Sequence, residues 1–207
     1  MKKLMFRYGS MGAAKSLNLI TTNYNYRELG LSTVVVVPNN SHNYVVLSRV
    51  GLSTKAIKIG QLKQFLEHHK VDCILVDEAQ FLTKNEVLML NDATLKDITV
   101  ICYGLRTAAN GELFDGSATL LSIADEIEEL PTLCPCGRKA RMNLRLIDNK
   151  VDKSNEMIVL KEESRVAYVS VCRECYYKFE NGDNAGELNK YDNTSKCKEE
   201  NKHDKDL

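Results

Sequence analysis

Three groups of residues in this chain have the types and spacing for chemistry. The first is Gly9-Ser10-Met11-Gly12-Ala13-Ala14-Lys15-Ser16. It matches the phosphate-binding pattern G-x-x-x-x-G-K-[ST] except that Ala14 stands at the second glycine. Such a loop curls successive backbone N–H groups around phosphate oxygens at a helix N-terminus. Lys15 would reach the β- and γ-phosphates and Ser16 would bind Mg²⁺. An ordinary strand–turn–helix with a chance Lys-Ser carries the same pattern, and an alanine at position 14 is strained if the backbone there needs φ > 0.

The second group is Asp77-Glu78, at the end of the apolar run Cys73-Ile74-Leu75-Val76. This is the form of the acidic strand end that completes a phosphate-loop magnesium site. Asp77 would hold Mg²⁺, directly or through water, and Glu78 could take the proton from an attacking hydroxyl as a general base. Two carboxylates at a strand end are often solvated turn residues, so the pair gains meaning from the loop upstream. The third group is Cys134-Pro135-Cys136-Gly137 and Cys172-Arg173-Glu174-Cys175. Two turns supplying two thiolates each satisfy a tetrahedral Zn²⁺. Four thiolates leave no open position for water, so the expected zinc is structural; unconnected thiols are the other reading.

These groups need strands and helices to position them. Leu4 to Tyr8 reads as a strand, Lys15 to about Leu29 as a helix stopped at Gly30, and Thr33 to Val37 as a strand closed by Pro38. Asn39 to Asn43 reads as loop, Gln61 to His69 as a short helix, and Val71 to Val76 as the strand carrying the acidic pair. Thr83 and Glu86 form a capping-box pattern that starts another helix. Ile98 to Tyr103 reads as a strand and Ser117 to Glu129 as a helix, with Leu120, Leu121, Ala124 and Ile127 on one face. The alternation predicts an α/β fold with a mostly parallel, covered sheet and flanking helices over 1–130. Beyond Pro131 the pattern changes. Arg141 to Leu146, Met157 to Lys161 and Tyr168 to Val171 read as short strands, with a polar loop at Asp148 to Asn155. A small zinc-binding lobe is expected over 131–180 and a disordered charged tail over 181–207, where almost no apolar residues occur.

The chain has 207 residues, 43% of them hydrophobic and 27% charged, as expected of a globular protein. Lys+Arg and Asp+Glu both number 28. Zero net charge argues against a protein whose main task is gripping a nucleic-acid backbone, and so against a zinc-ribbon nucleic-acid module. No apolar run of about 18 residues suggests a membrane span. Arg7 and Lys15 interrupt what would be a signal-peptide core, so a cytoplasmic location is expected. The seven cysteines are an odd count with no secretion signal, which argues against a disulfide framework. Cys73 and Cys102 lie in apolar runs and read as small buried hydrophobes, while Cys197 sits in the charged tail.

Together these segments resemble the thymidine kinases of the cytosolic and bacterial type. The shared blocks are Tyr8-Gly9-x-Met11 with Lys15-Ser16, Ser48-Arg49-Val50-Gly51-Leu52-Ser53, Leu75 to Leu82, Cys102 to Thr107, Gly111 to Phe114, Cys134 to Ala140 and Tyr168 to Arg173. The resemblance covers roughly residues 1–180. It implies ATP-dependent, Mg²⁺-assisted phosphorylation of the 5′-hydroxyl of thymidine. It also implies a zinc-stapled lasso lobe over the nucleoside and a homotetramer. Glu78 takes the catalytic-base position. Gly9, Ser10, Met11, Gly12, Ala13, Ala14, Lys15, Ser16, Asp77, Glu78, Ala79 and Gln80 fall on the nucleotide side. Met11, Phe81, Leu105, Phe114, Asn143, Val159, Leu160 and Tyr168 fall where the family lines its thymidine pocket. Cys134, Cys136, Cys172 and Cys175 are the implied metal ligands.

The chain departs from the family pattern at four places. Ala14 replaces the loop glycine. Ser41-His42-Asn43 stands where the family has Asp-x-Arg, which removes an arginine suited to stabilising phosphoryl charge. Ala109 replaces an aromatic four residues after Leu105, and Lys161-Glu162 replaces Gly-Gly after Val159-Leu160. These departures give a second reading: a degenerate, weakly active or inactive relative that only binds nucleotide.

Overall fold

The computed structural model describes residues 2–154, 156–157, 166–180, 188 and 190–192. Contacts divide the chain into two units. The first holds the described residues up to Tyr8, then Ala14–Arg106 and Phe114–Leu130. The second holds Gly9–Ala13, Thr107–Leu113 and the described residues from Pro131 on.

In the first unit the chain runs β1 (Leu4–Tyr8), α1 (Lys15–Glu28), β2 (Thr33–Val37), β3 (Val45–Leu47), β4 (Ser53–Lys55), β5 (Ile57–Lys58), α2 (Leu62–His68), β6 (Cys73–Val76), α3 (Lys84–Thr94), β7 (Thr99–Gly104), α4 (Asp115–Ile123) and β8 (Glu126–Glu129). Six strands form one parallel sheet in the order β5-β2-β6-β7-β1-β8. Its apolar runs are continuous rather than alternating because both faces are covered. Leu4, Phe6, Val34, Val36, Ile74, Val76, Val100 and Cys102 pack with Leu62, Val87, Leu90 and Leu120 of α2, α3 and α4. The alternate residues Val35, Val37, Cys73, Leu75, Ile101 and Tyr103 pack with Leu19 and Ile20 of α1. The buried thiols of Cys73 and Cys102 are both pushed up by desolvation, Cys73 to about 12, as befits small core residues.

The helix expected over Ser117 to Glu129 ends at Ile123, and residues Glu126–Glu129 form an edge strand instead. Backbone pairing wins over the helical spacing of apolar residues. Asp125 N–H donates to the Leu4 carbonyl at 2.8 Å, and the Asp125 carboxylate accepts from Leu4 N–H at 2.8 Å. Ile127, assigned to the buried helix face, is consequently 48% exposed. The capping box at Thr83 forms as read, with Glu86 Oε2 accepting from Thr83 N–H at 2.8 Å and Thr83 Oγ1 from Glu86 N–H at 3.3 Å.

The second unit holds β9 (Met142–Ile147), β10 (Lys150–Val151), β11 (Val166–Val171) and α5 (Arg173–Glu180), with the three strands in the antiparallel order β10-β9-β11. Within Asp148 to Asn155, read as a polar loop, residues Lys150–Val151 pair with β9 in a hairpin whose turn residues Asp148 and Asn149 both have positive φ. Leu144, Leu146, Ala167, Val169 and Val171 share one face and a core with Tyr176 and Leu188. Asn143, Arg145, Tyr168 and Ser170 fall on the opposite face, in register Asn143–Ser170 and Arg145–Tyr168. Ile158 to Lys161 of the expected strand, Val159 and Leu160 included, lies outside the described residues. So does the expected tail, apart from residues 188 and 190–192. Among the described residues no helix is long and apolar enough to cross a membrane.

One close approach fixes the strand end that carries the acidic pair. A Cβ on Gly116, in the first turn of α4, would lie 2.4 Å from the Ala79 carbonyl oxygen, 2.8 Å from that of Leu82 and 3.0 Å from that of Gln80. Helix propensity favours alanine over glycine by about 1 kcal/mol. A clash with fixed backbone costs about 1–3 kcal/mol or more. Gly116→Ala is therefore expected to destabilise by about 2 kcal/mol, lowering the thermal midpoint by roughly 4–8 °C in a chain of this size. Thermal unfolding followed by circular dichroism measures it.

Candidate functional site

In the first unit, β6 delivers Asp77 and Glu78 at its carboxyl end, and α1 delivers Lys15 and Ser16 at its amino end. Asp77 is 6% exposed and accepts from Ser16 Oγ at 3.0 Å. Its backbone N–H extends the sheet by donating to the Val36 carbonyl at 2.9 Å. Burial, and then the Glu78 charge, raise the Asp77 carboxyl to about 7. Burial lowers the Lys15 ammonium, against the opposing pull of Glu78 and Asp77; the Arg49 charge also lowers it. Two carboxylates, an ammonium and a hydroxyl thus converge at one end of a parallel sheet, where open α/β sheets hold their ligands. Ser16 and Asp77 offer the hard oxygen donors that suit Mg²⁺.

Two non-glycine residues here sit in the left-handed region. Ala14, preceding the first residue of α1, has φ 53° and ψ 28°. Glu78 has φ 52° and ψ 37°. For Ala14 this means that the backbone keeps the conformation a glycine would adopt, at a cost of roughly 1–2 kcal/mol. For Glu78 it turns the chain out of β6, leaving the carboxylate exposed while the preceding Asp77 is buried. Gln80, 2% exposed, fixes Glu78 from the side. Its Nε2 donates to Glu78 Oε2, and its Oε1 accepts from Leu105 N–H at 3.0 Å. Ala79 is fully buried beneath.

Beside this polar cluster lies an apolar one. The rings of Phe81 and Phe114 meet edge to face with centroids 5.5 Å apart. Leu105 is held next to Gln80 by the bond just described, and its carbonyl accepts from Ser117 Oγ at 2.5 Å. Phe81, Leu105 and Phe114 are thus tied to the segment that carries Glu78.

In the second unit the loop residues Gly9–Ala13 are gripped by the small sheet. Met11 N–H donates to Asn143 Oδ1 at 2.8 Å, and Ser170 Oγ donates to the Met11 carbonyl. Thr132 Oγ1 donates to the Gly12 carbonyl at 3.4 Å. Met11 and Asn143 are brought together; Tyr168 shares their sheet face, and its N–H donates to Asp192 Oδ1 at 3.1 Å. The reading of the residues missed Ser170, whose alternation with Tyr168 along β11 was the available signal. It also missed Arg145, 1% exposed, whose guanidinium bonds Asp152 Oδ2 at 2.6 Å, Ser154 Oγ at 3.1 Å and the Glu156 carbonyl at 2.7 Å. An arginine in the middle of an apolar strand signals such a partner.

The four cysteines also converge. The Sγ atoms of Cys134, Cys136, Cys172 and Cys175 all lie within 4.8 Å of one another. A zinc tetrahedron with ligands at ~2.3 Å has an edge of ~3.8 Å, and Cys136 Sγ stands 3.3 Å from Cys134 Sγ and 3.7 Å from Cys172 Sγ. The first pair sits on a tight turn and the second at the start of α5. Gly137, at φ 87°, lets its N–H reach the Cys134 carbonyl at 2.8 Å, and Cys175 N–H points at Cys172 Sγ at 3.5 Å. Hydrogen bonds from Arg138, backbone first and then guanidinium, pull the Cys136 thiol down to about 6. Arg138 also pairs with Glu174, joining the two pairs. The donor set fits a metal that prefers four thiolates.

Comparison with known proteins agrees with these geometries. The family model described as thymidine kinase matches residues 2–176. A thymidine kinase of Haemophilus influenzae (strain 86-028NP) is 43% identical over 190 residues, covering 86% of this chain and 97% of that relative. One from Legionella pneumophila (strain Lens) is 41% identical over 196 residues, covering 88% and 92%. One from Mesorhizobium japonicum is 40% identical over 185 residues, covering 84% and 90%. With the match spanning both units, this chain belongs to the thymidine kinase family.

Proposed function

We propose that this chain transfers the γ-phosphoryl group of ATP to the 5′-hydroxyl of thymidine, giving thymidine monophosphate in pyrimidine deoxynucleoside salvage. The observation that carries the proposal is the convergence of Lys15, Ser16, Asp77 and Glu78 at one end of the sheet, with Glu78 exposed and braced by Gln80. Glu78 accepts the proton of the 5′-hydroxyl as its oxygen bonds to the γ-phosphorus, and ADP leaves. Lys15 holds the β- and γ-phosphates, while the backbone from Gly9 to Ala14 cradles them. Ser16 and Asp77 would hold Mg²⁺, which would supply charge neutralisation to the transferring phosphate. On the family resemblance, Phe81, Leu105 and Phe114 are assigned to binding the base, and so are Met11, Asn143 and Tyr168. Asn143 accepts from the Met11 N–H. Val159 and Leu160 are likewise assigned to binding the base on the family resemblance.

The division into a nucleotide-binding domain over 1–130 and a lasso lobe over 131–180 belongs to the same reading. So do a structural Zn²⁺ on the four cysteines, a homotetramer and a cytoplasmic location. The competing reading, a relative that only binds nucleotide, rests mainly on Ala14. The left-handed backbone at Ala14 weighs against it, because the loop keeps its shape without the glycine.

Three measurements test this reading. Glu78→Gln is expected to lower kcat for thymidine by ~10²–10⁴-fold, read as ADP release, while ATP still binds. A variant as active as the parent removes the base. Ala14→Gly relieves the strained alanine and should raise the thermal midpoint by about 2–4 °C, with kcat changing less than about three-fold. A rise of a hundred-fold would mean that the loop is misshapen by the alanine. Purified protein should carry one zinc per chain. Stripping it with a chelator under reducing conditions should lower the thermal midpoint and abolish turnover; full stability without metal would end the structural-zinc assignment.

A further inference from the structure

The small sheet of the second unit has an open edge. In the order β10-β9-β11, β11 pairs with β9 and with no other described strand. Peptide groups along an antiparallel strand face alternately toward and away from the partner, so every second N–H of β11 points outward and needs another acceptor. The N–H of Tyr168 is one of these, and it donates to Asp192 Oδ1 at 3.1 Å. Asp192 is 3% exposed. A carboxylate withdrawn from water is costly unless it is partnered, and a bond from a backbone N–H to a charged acceptor is among the stronger ones.

Asp192 reaches this edge from a stretch whose composition reads as a charged tail, beyond residue 176, where the match to the family ends. Leu188 anchors that stretch. It is buried in the core of the small sheet with Val169, Val171 and Tyr176. Further along, Tyr191 and Asp192 line a cavity of about 400 Å³ together with Thr132 and Ser170. Thr132 and Ser170 are the residues whose hydroxyls bond the Gly12 and Met11 carbonyls. Leu188 thus packs behind β11 and Asp192 caps its edge, while the opposite face carries Tyr168 and Ser170.

We infer that Asp192 is a positioning residue for nucleoside binding: its carboxylate fixes the backbone of β11 at Tyr168, and with it the place of the Tyr168 side chain. A binding side chain is held only as well as the backbone beneath it, and supporting hydrogen bonds supply that precision. The inference rests on the assignment of Tyr168 to the base in the reading above.

The test compares the full-length parent with Asp192→Ala and Asp192→Asn, assayed well below their thermal midpoints. Asp192→Ala should raise KM for thymidine by about ten-fold, with kcat and KM for ATP each within about three-fold of the parent. Asp192→Asn keeps an oxygen that can accept the Tyr168 N–H and should recover most of the loss. Calorimetric titration with thymidine should give the same ranking without turnover. Amide hydrogen exchange reads the bond itself, and the Tyr168 N–H should exchange about ten-fold faster in Asp192→Ala than in the parent. Thymidine affinity of Asp192→Ala within about three-fold of the parent's overturns the inference. So do KM values for thymidine and ATP that rise alike, which mark a general loosening of the fold, and an Asp192→Asn as weak as Asp192→Ala. A parent that binds thymidine but releases no ADP would instead defeat the kinase reading. Thymidine affinity and amide exchange then still decide the case of Asp192.

Discussion

The hydrogen bond from Ser16 to the buried carboxylate of Asp77 joins the start of α1 to the end of β6, and much of the first unit exists to hold these two ends together. A carboxylate taken out of water is costly unless its oxygens are partnered. Here the partner comes from a helix whose own position depends on packing Leu19 and Ile20 beneath the sheet. Burial and a neighbouring Glu78 raise the Asp77 carboxyl, so the pair is electrostatically tense. The two oxygen donors meet at the carboxyl end of the sheet, where open α/β sheets hold their ligands.

The same end of the sheet concentrates backbone strain. Ala14 and Glu78 are both left-handed, one opening α1 and the other leaving β6. Strain of this kind persists only where surrounding structure over-determines it. For Glu78 the surroundings are Gln80, whose amide bonds both the Glu78 carboxylate and Leu105 N–H, and Gly116, which lets α4 press on the carbonyls of Ala79 to Leu82. The exposed carboxylate is thus held by buried neighbours. In the second unit the logic is repeated with different chemistry: four thiols and an Arg138–Glu174 pair bind a turn to the start of α5, and Asn143 and Ser170 clasp the backbone of Met11.

Much of this was legible in the sequence because the relevant signals are local. The apolar runs of β1, β2, β6 and β7 marked a doubly covered sheet. Thr83 and Glu86 marked a helix start, and the short cysteine spacings marked two turns that could share a metal. The helix read through Glu129 failed because periodicity describes a residue's own face, whereas the Asp125 bonds to Leu4 belong to a partner far away in the chain. The β3–β4 hairpin was unseen as structure, although Ser48 to Ser53 stood out as a motif. Its exposed Val45, Leu47, Val50 and Leu52 give no alternation of polar and apolar residues to read.

The sequence by itself determined the inventory: a phosphate loop with an alanine in its glycine position, an acidic strand end, a cysteine quartet, and the strands and helices that carry them. Only the tertiary structure decided how these parts behave. That Ala14 is left-handed, that Asp77 is buried while the adjacent Glu78 is exposed, and that Asn143 grips Met11 are outcomes of long-range packing. The physical reason is one of range. Spacing and propensity act over a few residues, but desolvation, backbone strain and the field at a charge are set by whatever the fold brings near.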